Sequence, residues 1–177
     1  YPAAATIEIA AYPTKVFVVR ENPNAAWPYA TMETAATNVQ DAVSVGTDGT
    51  EVSIAAGVYP LLETVEVNAA EWIHGATDDP EDTVLDAQGK FRVLRLNNSG
   101  AKLEGVALQG GQLGSSSSGS GLLVDSAGGQ ASNCIVRACK QGHWQSGSAV
   151  SLASESAIVT HCVISNNTAR GCTVAAS

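Results

Sequence analysis

The sequence predicts an all-β fold, a parallel β-solenoid with coils of about 28 residues and a short helix ahead of them. Three observations carry this. From Thr50 onward, apolar stretches of three to six residues alternate with Gly, Asn, Asp and Ser turns, and no helix-length pattern separates them. Two independent sets of these stretches recur at one fixed step of 28 residues. Only 15% of the residues are charged, against about 25% in an ordinary domain. Turns of Gly, Ser and Asn explain that deficit.

The elements follow in order. Thr6–Ala10 alternates as a strand does, and Pro13 separates it from a second strand at Lys15–Arg20. Asn22-Pro23-Asn24 is a turn cluster. Thr37-Asn-Val-Gln40 has the capping-box pattern and opens a short helix to about Val45. Val39, Ala42 and Val43 form its apolar stripe. Gly46 and Asp48-Gly49 end it. The strand stretches after that are 52–54, 64–67, 72–73, 83–85, 92–96, 103–108, 122–124, 134–136, 149–152 and 159–164. The chain divides into an amino-terminal extension (1–14), a strand and helix region (15–49) and a solenoid (50–177).

The repeat assigns sides. Leu103–Leu108, Ala131–Val136 and Val159–Ile164 align at 28-residue offsets, as do Leu94, Leu122 and Val150. One coil pairs with the next at about 4.8 Å. Leu103/Ala131/Val159, Val106/Cys134/Cys162 and Leu108/Val136/Ile164 are expected to point inward. Gly105/Asn133/His161 and Gln109/Arg137/Ser165 are expected to point outward. Ala107, Ile135 and Val163 also point outward although apolar, so this stripe either lies under a loop or forms an interface. Cys134 and Cys162 then stack in the core, either as a ladder of buried thiols or as a disulfide. Cys139 and Cys172 fall in turns and could pair across coils. None of the four forms a CxxC pair, so zinc is not expected.

Charge narrows the partners. The net charge is -8, and nucleic acid is not expected without a basic stripe. No apolar run approaches the roughly 18 residues of a membrane span. Residues 1–90 hold fourteen acids and three bases, and residues 91–177 hold three acids and six bases. Tyr1 in place of an initiator Met is what a processed chain would show. Asn97-Asn-Ser99 and Asn166-Asn-Thr168 fit the glycosylation sequon and are read as turns.

Several stretches carry a family likeness. They are Trp27 with Ala35–Val43, Ala55-Ala-Gly-Val-Tyr-Pro60, His74–Gly89, Ser132–Val136 and Cys162–Ala169. With these, residues 15–170 resemble the right-handed parallel β-helix proteins of the pectate-lyase-like superfamily, in particular secreted bacterial members. The resemblance implies right-handed coiling, a capping helix at the amino end and an extracellular or cell-surface location. For function it implies only a range: polysaccharide lyases, hydrolases, adhesins and proteins without known activity. A lyase of this kind needs a basic residue, for which Arg137, Lys140 and His161 are candidates, with His143 nearby. The outward positions beside them carry no carboxylate, since residues 105–177 contain only Asp125 and Glu155.

Other candidates come from the residues themselves. Asp78, Asp79, Glu81, Asp82 and Asp86 could supply paired carboxylates for glycoside hydrolysis. The first four could instead hold calcium, a hard cation that takes oxygen ligands, or form an exposed acidic turn. Calcium is the one cofactor the sequence suggests. Trp27 and Trp144 are candidate stacking platforms for a glycan. The leading expectation is a structural, self-associating extracellular subunit. The solenoid reaches Ser177 with no capping helix after Ile164, and an acidic first half precedes a basic second half. Together these would favour a head-to-tail homopolymer, a filament or surface layer. Ile7, Ile9, Ala107, Ile135 and Val163 are its candidate contacts. The alternatives are a polysaccharide lyase-like enzyme and a non-catalytic glycan-binding module.

Overall fold

A computed structural model describes residues 12–114, 118–141 and 149–169. It is a parallel β-solenoid of about four turns, with about 28 residues per turn and one short helix near the amino terminus. Strand β1 (Lys15–Val18) precedes helix α1 (Val39–Val45). Then come β2 (Glu51–Ile54), β3 (Gly57–Pro60), β4 (Val65–Val67), β5 (Trp72–Gly75), β6 (Thr83–Asp86) and β7 (Leu94–Leu96). The regular coils hold β8 (Lys102–Glu104), β9 (Ala107–Gln109), β10 (Gln112–Leu113), β11 (Leu122–Val124), β12 (Gln130–Ser132), β13 (Ile135–Arg137) and β14 (Lys140–Gln141). The last coil holds β15 (Val150–Leu152), β16 (Ile158–Thr160), β17 (Val163–Ser165) and β18 (Thr168–Ala169).

Every pairing is parallel. The first sheet runs β1-β2-β5-β8-β12-β16 and the second β3-β6-β9-β13-β17. The third runs β4-β7-β11-β15, and a short fourth runs β10-β14-β18. The step of 28 is obeyed in register by the regular coils: Leu122 opposes Leu94 and Val150, Ala131 opposes Leu103 and Val159, and Lys140 opposes Gln112 and Thr168. It fails in the earlier coils. Glu51 pairs with Trp72, and Trp72 pairs with Lys102. The coil through β5 and β6 is enlarged by the 76–82 loop. That loop stands where the next coil has only Gly105 and Val106 between β8 and β9.

The stretches 103–108 and 159–164, read as single strands, and the aligned 131–136 are each two strands around a corner. Gly105, Asn133 and His161 sit at φ 62°, 49° and 55°, in the left-handed region. A second corner repeats at Gly110, Ala138 and Asn166, with φ 67°, 52° and 52°. The first corner explains why the inward positions run 103, 106, 108 instead of strictly alternating. Gly and Asn enter the left-handed region at little cost.

The core is a stack of aliphatic rungs. Leu103, Ala131, Val106, Cys134, Leu108 and Val136 are buried as the repeat predicts. The column ends differently. Val159 and Cys162 are half-buried, and Ile164 is 54% exposed because no described residue stacks on the last coil. At the other end α1 buries Val39, Ala42, Val43 and Val45 against the first coil. The 29–36 segment covers the free edge of β1, where Phe17 N donates to Tyr29 O and Ala36 N donates to Phe17 O. The helix cap also differs from the capping box predicted. Asn38, not Thr37, is the N-cap, and its side chain accepts from Gln40 N. Gln40 turns away, donating to Ser44 and accepting from Glu66 N at 2.8 Å, which ties α1 to β4.

Candidate functional site

The outer face of the first sheet carries a connected group of polar and aromatic side chains. Alternation places it there. Ile73 is buried, so Trp72 and His74 on either side of it both face outward. Their rings stack, with centroids 4.3 Å apart and planes 26° off parallel. Trp72 remains 41% exposed, and its Nε1 donates to Glu104 Oε2 at 3.0 Å. His74 Nε2 lies 2.8 Å from Glu51 Oε1, and Nδ1 lies 2.7 Å from Gly75 O. Both partners are acceptors, so a neutral ring could donate only one of these bonds. Lys15 Nζ donates to the same Glu51 oxygen at 2.6 Å. The Lys15 bond is the largest influence holding Glu51 below its usual carboxylate range, and His74 assists. The result is an axial ladder, Lys15–Glu51–His74–Trp72–Glu104, across β1, β2, β5 and β8.

Beside this ladder is a hollow of about 260 Å³, lined by Trp72, His74, Thr77, Asp78, Glu104 and Asn133 among others. The 76–82 loop forms one wall. Asn133 Nδ2 donates to Asp78 O at 2.9 Å, and Arg137 Nη1 forms an ion pair with Glu81. The two anchors flank Ala107, which is fully buried. An exposed indole face set among hydrogen-bonding groups suits a flat ligand with one apolar side and polar edges.

Of the predicted site residues that are described, Asp78 alone lines this hollow. Arg137 is held by Glu81 and by Gln109, to which its Nε donates at 3.1 Å. A carboxylate therefore does stand beside it, contrary to the sequence reading. It arrives from the 76–82 loop, which the 28-residue alignment does not register. Lys140 is exposed at the start of β14, and His161 is exposed at its corner. Asp79 Oδ1 accepts from Glu81 N, and Glu81 is turned to Arg137. Among the described residues no three His, Cys, Asp or Glu side chains form a group that could hold a metal ion. Of the apolar stripe, Ala107 lies inside the chain, Ile135 is half-buried and Val163 is exposed. Trp27 is exposed on the amino-terminal segment. Ile7, Ile9, His143, Trp144 and Cys172 lie outside the described residues.

Cys134, Cys139 and Cys162 are free thiols. Cys134 Sγ points to Ser132 O at 3.1 Å, and Cys162 Sγ repeats this one coil on, to Thr160 O at 3.2 Å. The neighbouring Cys162 thiol, and then burial, push Cys134 up. Cys134 in turn lowers Cys162.

No protein-family model, curated protein or solved structure matches this chain. Its fold and its residues are therefore the whole basis for a functional reading. No helix among the described residues is long and apolar enough to cross a membrane.

Proposed function

We propose that this chain is an extracellular, non-catalytic glycan-binding solenoid, a right-handed β-helix of the pectate-lyase-like superfamily. The observation that carries the reading is the exposed Trp72 indole, braced by His74 and Glu104 above the hollow beside the 76–82 loop. A pyranose ring has an apolar C–H face and hydroxyl edges. The indole would take the first, and Glu104 and Thr77 the second. Lys15 and His74 already engage Glu51, so the platform is rigid without ligand. Trp72→Ala is expected to weaken binding of the full chain to a soluble polysaccharide about tenfold or more. Trp27→Ala is expected to leave it unchanged. Affinity electrophoresis across neutral, acidic and amino-sugar polymers reads this, and equal retention of Trp72→Ala and the parent would exclude the platform.

A second reading, self-association, is favoured by the last described coil, where Leu152, Ile158, Val163 and Ile164 are exposed. Helix α1 and the 29–36 segment close the amino-terminal end. A head-to-tail contact would therefore set this coil against the outside of that cap, without continuing the sheets. The acidic first half and basic second half suit such a contact. Sedimentation is expected to show concentration-dependent oligomers that dissociate as salt rises. A single monomer boundary at all concentrations in low salt would remove this reading.

A further inference from the structure

Among the described residues, Glu71 is the charged side chain that the fold buries without a partner. It lies just before β5 and is 1% exposed, and its Oε2 has no hydrogen-bond partner. Such burial is costly unless something compensates it. The chain nonetheless makes space for it. A Cβ on Gly46 would sit 2.6 Å from the Glu71 Cδ. Gly46 has φ −65°, which any residue adopts, so the glycine supplies room and not backbone freedom. Beside the carboxyl is a hollow of about 360 Å³ between α1 and β4, lined by Gln40, Ser44, Glu66, Asn68 and Glu71 among others.

The charged groups around it are mostly acidic. Asp48 follows α1 and accepts from Ala70 N at 2.8 Å. Glu66 on β4 is tied to Arg95 at 3.4 Å, and Arg95 in turn binds Asp125. Helix α1 has Asp41 in its first turn and no basic residue in its last. Among the described residues no cation pairs with Glu71.

We propose that this hollow binds a primary ammonium group, with the Glu71 carboxylate as its anion and the side-chain oxygens of Gln40, Ser44 and Asn68 as neutral acceptors. An ammonium has three donors and needs one anion and two further acceptors. Gln40 Oε1, Ser44 Oγ and Asn68 Oδ1 each receive one hydrogen bond already and keep a lone pair. A hard divalent cation would want six or more oxygens, commonly several carboxylates, and no such group converges here. Burial, and then Asp48, raise the Glu71 carboxyl to about 8. Capture of an ammonium ion at neutral pH therefore drives a proton off Glu71.

Calorimetry of the full chain with ethylammonium chloride at pH 7, in two buffers of different ionisation enthalpy, tests this. The expected result is saturable binding with net release of about one proton. Tm should also rise with the logarithm of amine concentration. Glu71→Gln should remain folded and bind at least tenfold more weakly, and Gly46→Ala should weaken binding by crowding the carboxyl. An equal response in Glu71→Gln overturns the proposal. So does a response no larger than that to sodium chloride, or a stronger response to calcium chloride.

Discussion

In a buffer free of amines, the parent chain is expected to lose stability relative to Glu71→Gln as pH rises from about 5 to 9. Glu71 is raised from an ordinary 4.5 to about 8, first by burial and then by Asp48. The sign follows from linkage. The unfolded chain loses this proton near the ordinary value, while the folded chain keeps it until about pH 8. Its contribution is therefore complete below about 4.5 and declines as pH climbs through the folded value. A displacement of this size corresponds to roughly 3–6 kcal/mol. Glu51 and Asp125 are shifted the other way, Glu51 chiefly by Lys15 and Asp125 chiefly by Ser126 N and then Arg95. Their contributions are lost only at acid pH, outside this window. Urea unfolding of parent and variant at pH 5, 7 and 9 measures the effect. Parallel profiles would mean that Glu71 is solvated in the folded state.

The second large effect separates two residues that the repeat treats as equivalent. Leu108 and Ile164 occupy the same inward column, two coils apart. Leu108 is fully buried between its neighbouring rungs, and Ile164 is mostly exposed. Leu108→Ala is expected to cost about 3 kcal/mol through lost burial and a residual cavity. Ile164→Ala is expected to cost under about 1 kcal/mol. Denaturant midpoints give both numbers. Equal losses would show that a further layer covers the last coil in solution.

The 28-residue step gave the strand pairing of the regular coils and the burial of Leu103, Val106, Leu108, Ala131, Cys134 and Val136. It worked because a solenoid rung meets the same environment once per coil. The earlier coils depart from the step, so Trp72 could not be aligned with Glu104 by counting, although they are in adjacent strands. The alternation Trp72-Ile73-His74 was the one available signal, and it shows only that the two rings share a face. Arg137 illustrates the opposite error. Its outward position was correct, but Glu81 reaches it across 56 residues from the 76–82 loop. No local pattern encodes such a partner.

The sequence by itself determined the architecture, since apolar spacing and turn residues are local properties that repeat with the coil. It also determined that one short helix lies near the amino terminus. The tertiary structure alone decided which side chains meet on the outside. The Trp72–Glu104 bond, the Lys15–Glu51–His74 ladder and the space that Gly46 leaves for Glu71 join residues that are far apart in the sequence. Their neighbours are set by the stacking of the coils, and that stacking exists only in the folded chain.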